Sequence, residues 1–308
     1  MRDLPPDEAS NQEPPKPART PLFVAVGYHG LRMVSENGTE WKNVQLGKDG
    51  EVYRNVCTAN GITVAVGSYG LTNFFARTLD GAKWEQQSRR SPGVYHLLSG
   101  AVYGNDRFLA YGGDPTSDPA GNILHHSKDG AAWSDVVQPK NRRLLRRVAF
   151  GAGLFVGVGE FGRRTVSKDG LTWEDAPEAN DTFKETLTHV AFGNGMFVGV
   201  GIHSLRMTTK DGITWENREA GEEGEHLNSV VWTGDRFVAT GPTVTYVSSD
   251  GVRWERQSVR QGPLTMAYGA GRFVGSRGKG RMLLSEDAVR WTEVFKAEQF
   301  VEGLCYGG

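Results

Sequence analysis

Hydrophobic and polar positions along this chain change places in short bursts. Residues 155–159 and 197–201 both read FVGVG, and the burst recurs as FVAVG at 23, TVAVG at 63, FLAYG at 108, FVATG at 237 and FVGSR at 273. Alternating apolar residues around a small central Ala or Gly predict a short buried strand on which another strand packs closely. Just upstream lies a second burst, RRVAFGAG at 146, THVAFGNG at 188 and SVVWTGD at 229. Its Gly, Asn or Asp end predicts a tight turn into the next strand.

A third marker keeps step with these two. It reads SENGTEW at 35, TLDGAKW at 78, SKDGAAW at 127, SKDGLTW at 167, TKDGITW at 209, SSDGVRW at 248 and SEDAVRW at 285. Seven of the eight tryptophans close it: Trp41, Trp84, Trp133, Trp173, Trp215, Trp254 and Trp291, spaced by 43, 49, 40, 42, 39 and 37 residues. Each period therefore predicts strand A, a Gly turn, strand B, a short loop, strand C, the SxDGxxW turn and strand D. Four antiparallel strands repeated radially predict an all-β fold, a seven-bladed β-propeller. The chain starts on a B strand, LFVAVG, and finishes on an A strand, FVEGLCYGG at 300–308. A C-terminal inner strand is thus expected to complete the N-terminal blade and close the ring, removing sheet edges.

The turn itself reads as structure. Gly supplies the positive φ of a two-residue hairpin turn, and Asp accepts backbone N–H bonds. The Ser or Thr hydroxyl joins that network, and Trp covers the hairpin between blades. The expected turn residues are Asp80, Asp129, Asp169, Asp211, Asp250 and Asp287 with the seven tryptophans. Asn37 replaces Asp in blade 1 and Ala288 replaces Gly in blade 7, so no copy is singled out for chemistry.

On these residues the chain resembles the Asp-box (BNR) repeat family, whose motif is written SxDxGxTW. The spacing here is one residue shorter between Asp and Trp. The family includes sialidases, other glycan-processing enzymes, lectin-like propellers and propeller-shaped assembly factors of photosystem II. The resemblance implies a ligand site on the face opposite the turns.

Composition narrows the function classes. A formal net charge of -1 argues against a general nucleic-acid surface, and no apolar run is long enough for a membrane span. Residues 1–21 hold six of the thirteen prolines and read as a disordered linker, with the propeller expected over 22–308. Such a tail suits an exported or tethered protein, and an extracytoplasmic monomer is expected, with a cytoplasmic one as the alternative. Cys57 and Cys305 share a small-residue register of two inner strands and are expected as thiols.

Candidate ligand residues come from the loops opposite the turns: Tyr28, His29, Tyr69, Phe161, His203 and Lys279, with Glu160 and Arg277 beside them. The blade 3 loop at 112–122 adds Asp114 and Asp118 as a cap or ion site, against plain turn chemistry. Arg142, Arg143, Arg146, Arg147, Arg163 and Arg164 concentrate positive charge in blade 4, and Arg forks suit anions. The acidic stretches at 174–181 and 219–226 oppose it, with inter-blade pairing as the alternative. A sialidase would need three converging arginines, for which Arg54, Arg147 and Arg281 are available, plus a Tyr–Glu pair that is not assignable. A polysaccharide lyase would draw on His29, Tyr69, His189 or His203 with Arg147. No metal or cofactor motif occurs. The leading expectation is a non-catalytic module that binds an anionic glycan or a protein partner on the loop face. The alternative is a glycan-active hydrolase or lyase on the same face.

Overall fold

Each period of the sequence forms one four-stranded antiparallel sheet, and seven sheets stand in the structure. This is a computed structural model, and it describes residues 20–90, 97–113, 124–136, 143–177 and 185–308. Most of the Pro-rich stretch, the blade 3 loop from Asp114 on, Arg142 and part of 174–181 lie outside the described residues. In blade 4, strand A is Leu145–Gly151, B is Leu154–Gly159, C is Arg164–Ser167 and D is Glu174–Asp175. Blade 1 takes its A strand, Val301–Gly307, from the chain end, in register Phe23↔Tyr306 and Ala25↔Leu304 with its B strand, Leu22–Gly27. The seven A strands pack side by side into a closed ring.

The B strands bury almost every side chain because sheets of neighbouring blades cover both of their faces. Phe23, Phe108, Phe155, Phe197, Phe237 and Phe273 are fully buried. Each meets an aromatic from its own A strand, as in Phe150–Phe155 at 4.7 Å and Trp232–Phe237 at 4.6 Å. The eighth tryptophan, Trp232, is thus one of these inner-strand aromatics.

Blade seams are built by the position three residues before the Ser or Thr of each box. In three blades this side chain is an arginine that reaches the box Trp of the next blade: Arg32 stacks on Trp84 at 5.8 Å, Arg164 on Trp215 at 5.4 Å, and Arg206 on Trp254 at 6.0 Å, while in blade 6 Thr245 donates to the Ala288 carbonyl. In blade 2 the same place holds Phe75, 4.9 Å from Trp133.

The box is a longer connection than the two-residue turn expected from the sequence, running from Ser167 to Glu174 in blade 4. One left-handed residue suffices, Gly170 at φ 73, because side chains tie the rest. Ser167 Oγ donates to Asp169 Oδ1 (3.1 Å) and accepts the Gly170 N–H (2.8 Å). Asp169 Oδ1 accepts the N–H groups of Leu171 (2.8 Å) and Thr172 (2.7 Å), and Trp173 Nε1 donates to the Gly170 carbonyl (3.1 Å). Asn37 does the same work with its amide oxygen, accepting from Thr39 and Glu40.

In such a meander the A–B and C–D connections share one end of the sheet, and the B–C and D–A connections share the other. At that second end the incoming chain crosses strand B at very close range. A Cβ on Gly159 would lie 2.0 Å from the Leu144 carbonyl oxygen, which accounts for the Gly that ends FVGVG.

Candidate functional site

At the loop end of the ring the mouth of the central channel opens into a cavity of about 430 Å³. One residue from each blade rings it: Glu302, Arg54, Ser99, Arg146, Thr188, Asn228 and Leu264, in blade order 1 to 7. Leu97, Leu144, Arg147, Thr186, Ile202, His226 and Thr265 complete the lining. The local cause is a bulge. The A–B pairing skips Ser99, Arg146, Thr188 and Glu302, and a bulged residue is re-aimed out of the regular alternation. In blades 2, 6 and 7 the equivalent residue stands just ahead of strand A.

Most polar groups of the ring are already used, between blades or within one. Ser99 Oγ donates to the Leu145 carbonyl, and Thr188 Oγ1 donates to the Leu227 carbonyl at 2.5 Å. Arg54 pairs with Glu302 at 3.6 Å, and Arg146 with Glu160 at 2.6 Å. Arg147 differs. It donates to the Ser99 carbonyl at 3.4 Å and to the Tyr111 hydroxyl, and has no carboxylate partner among the described residues. His226 Nδ1 accepts the His203 N–H at 3.2 Å, which leaves its Nε2 as a donor. Arg147, Asn228 and His226 therefore present donors, and no free carboxylate of the lining offsets Arg147. Such a cavity suits an anionic or carbonyl-rich guest.

His189 lies next to Arg147 on the neighbouring A strand at the same register, opposite Val200 as Arg147 is opposite Val158. Its Nδ1 is closed off and has no hydrogen-bond partner. Burial, reinforced by the Arg147 charge, holds the imidazole well below the usual histidine range.

The remaining sequence candidates are scattered rather than gathered. His203 lines a smaller pocket of about 200 Å³ with Ile202, Arg218, Gly221 and Glu223. Phe161 and His203 both sit at left-handed loop apices (φ 52), as do His29 and Lys279. Tyr28 packs against Phe300, His29 meets Asp49 at 3.0 Å, and Tyr69 is largely exposed. Arg277 donates to the Gly262 carbonyl.

Among the described residues of the blade 4 arginine cluster, Arg146 and Arg147 line the cavity and the others do not. Arg163 is buried and donates to the Arg143 carbonyl, while Arg143 stacks over Phe161 at 5.4 Å. Arg164 is buried too, and Glu185 bridges it (3.2 Å) to Arg218 (2.7 Å). These side chains hold loops to blades, because a buried guanidinium needs fixed acceptors. The acidic 219–226 stretch likewise pairs with arginines, Glu219 with Arg206 at 3.0 Å and Glu225 with Arg256.

For the enzymatic alternatives, only Arg54 and Arg147 of the three sialidase-type arginines line the cavity, and Arg281 pairs with Glu293 at 2.6 Å. Of the lyase-type residues only His189 neighbours Arg147. Cys57 and Cys305 are free thiols, and burial, then the neighbouring Cys305, push the Cys57 thiol up to about 12. Among the described residues, no cluster of three or more His, Cys, Asp or Glu is placed to hold a metal ion, and no helix is long and apolar enough to cross a membrane.

The ring residues Glu302, Ser99, Thr188, Asn228 and His226 were missed in the sequence, where attention fell on B–C loops. Their signal is positional: each of the first four is the third residue before the strand A position held by Val102, Ala191, Val231 and Cys305, the register of Ala149 in blade 4.

No family model and no curated protein matches the chain, so the Asp-box resemblance rests on the seven turns alone. Solved structures do share the fold. One described as YCF48 bound to D1 peptide is similar with a TM-score of 0.62 at 17% identity, over 91% of this chain and 91% of that one. YCF48 from Cyanidioschyzon merolae gives a TM-score of 0.57 at 16% identity, over 79% of this chain and 85% of that one. At this identity the likeness shows the seven-bladed propeller and nothing finer.

Proposed function

We propose that this protein is a non-catalytic recognition module that holds an acidic segment of a partner protein across the channel mouth. One observation carries the reading: seven blades each contribute a residue to one cavity, and its Arg147 is left without a carboxylate. A cation kept unpaired in a semi-enclosed site is costly unless something anionic visits it. The structural likeness to a YCF48 that carries a D1 peptide supports a peptide over a glycan as the guest. The placement of the tryptophans supports the same choice, since Trp133, Trp173, Trp215 and Trp254 are packed in blade seams.

Fluorescence anisotropy with short capped acidic, neutral and basic peptides tests the reading. Acidic peptides are expected to bind, more weakly as salt rises, and Arg147→Ala is expected to weaken them about tenfold or more. Binding that ignores both peptide charge and the Arg147 change would overturn it. Turnover of a glycan by the wild-type protein would also overturn the non-catalytic part.

A further inference from the structure

We infer that the channel anchors one carboxylate side chain of the bound peptide between the Arg147 guanidinium and the His189 imidazole, and that His189 takes up a proton as the carboxylate arrives. This rests on the peptide reading above and adds the chemistry of the anchor.

The geometry concentrates the charge. At the register of Arg147 and His189, the other five A strands carry Asn55, Gly100, Ser229, Thr265 and Gly303, none of which is ionisable. Asn55 Oδ1 is engaged by the Ala101 N–H, and Ser229 Oγ donates to the Met266 carbonyl. The Tyr111 hydroxyl fills the space over Gly100 and bonds Arg147, so Arg147 and His189 are the basic pair of this tier, on adjacent strands. His189 is half-buried and is not itself part of the cavity lining, but it stands beside Arg147, which is, and its Nδ1 is enclosed.

The charged groups around the imidazole explain its free state. Arg147 faces it from strand A of blade 4. Above it, Arg146 and Arg54 line the mouth, and the acids there, Glu160 and Glu302, are taken by those two arginines. From blade 6 the lining contributes His226, whose Nδ1 accepts a backbone N–H. No carboxylate pairs with His189 among the described residues, so burial and Arg147 both favour the neutral ring.

An incoming carboxylate reverses both influences. It neutralises Arg147, and it gives an imidazolium a partner of opposite sign in a site with little water. The proton comes from solvent and goes to the free lone pair of the imidazole, while the carboxylate stays ionised. A side-chain amide of the same shape does neither, so the site discriminates Glu from Gln. The sign follows: affinity rises as pH falls, by at most about tenfold per pH unit for one linked proton, between the free and bound midpoints of His189.

The capped tripeptides acetyl-Gly-Glu-Gly-amide and acetyl-Gly-Gln-Gly-amide test this, since their only possible charge is the side chain. Imidazole NMR titration of the full chain is expected to show the His189 midpoint rising with the Glu peptide and unmoved by the Gln peptide. Calorimetry is expected to show the Glu peptide binding more tightly at pH 5.5 than at pH 7.5. His189→Gln, checked for an unchanged thermal transition at pH 7.5, is expected to keep binding and lose that pH dependence. A pH-independent affinity, or an identical dependence in His189→Gln, would overturn the proton-linked anchor while leaving peptide binding standing. Equal affinity of the two peptides would overturn the carboxylate anchor. Failure of the Glu peptide to bind at any pH, or binding unaffected by Arg147→Gln, would overturn the peptide reading as well.

Discussion

Asp169 accepts two backbone N–H bonds and one hydroxyl bond within a single loop, and five other aspartates repeat its contacts. What such a loop needs is an acceptor, and Asn37 shows that the acceptor need not be charged. Asp169→Ala is therefore expected to destabilise the fold by about 1 kcal/mol, and Asp169→Asn by clearly less, at neutral pH in urea titrations. Ala288 shows how far the rule stretches. It holds the left-handed place at φ 61, and its methyl group is fully buried in the seam between blades 6 and 7, so packing offsets the conformational cost. The turn bonds were readable in the sequence, because they link residues two or three apart, while the burial of the Ala288 methyl in a seam was not. The length of the connection was not, since a DG pair also fits a two-residue turn.

At the scale of the strand, alternation named the buried B strands correctly, and the Gly that ends them has a tertiary cause. Gly159 is in extended backbone, so its need is space and not torsion. Gly159→Ala would press a methyl into the Leu144 carbonyl, which can retreat only by shifting the chain that leads into strand A. A loss of about 1–3 kcal/mol is expected in denaturant unfolding, with the midpoint moved and the slope kept. Peptide affinity is expected to fall along with it, because the same stretch carries Arg146 and Arg147. The bulges are the element-scale feature that sequence pattern hid. A strand read by strict alternation puts RRVAFG in one register, and a single extra residue re-aims Arg146.

For the whole molecule, pH dependence combines contributions from both ends of the ring. Asp80, Asp129, Asp169, Asp211, Asp250 and Asp287 are all held below the ordinary carboxylate range; for Asp211 the Thr214 N–H is the leading cause. Their unfolded value is about 3.9, so this stabilisation is complete above that pH and is lost as pH falls through the folded values. His189 also binds its proton more readily when unfolded, so its contribution is complete above about 6.5 and declines below that. Thermal unfolding is thus expected to show two acid stages, a shallow one beginning near pH 6.5 and a steep one below about 4. His189→Gln should remove the first and leave the second; a single stage that His189→Gln leaves unchanged would show that the histidine is not buried neutral.

The sequence by itself determined the period, the seven blades, the closing strand and the face that carries the box turns. Those follow from contacts made within a few residues and repeated at a constant spacing, so a linear reading captures them. Only the tertiary structure decided which side chains meet. Closing the ring brings together residues from seven separate repeats, the bulges choose which of them enter the channel, and burial turns Arg163 into a loop tie and Arg164 into a seam residue while leaving Arg147 without a carboxylate. Charge runs along the chain carry no information about which partner lies across a blade seam, and that partner decides whether an arginine is satisfied or waiting.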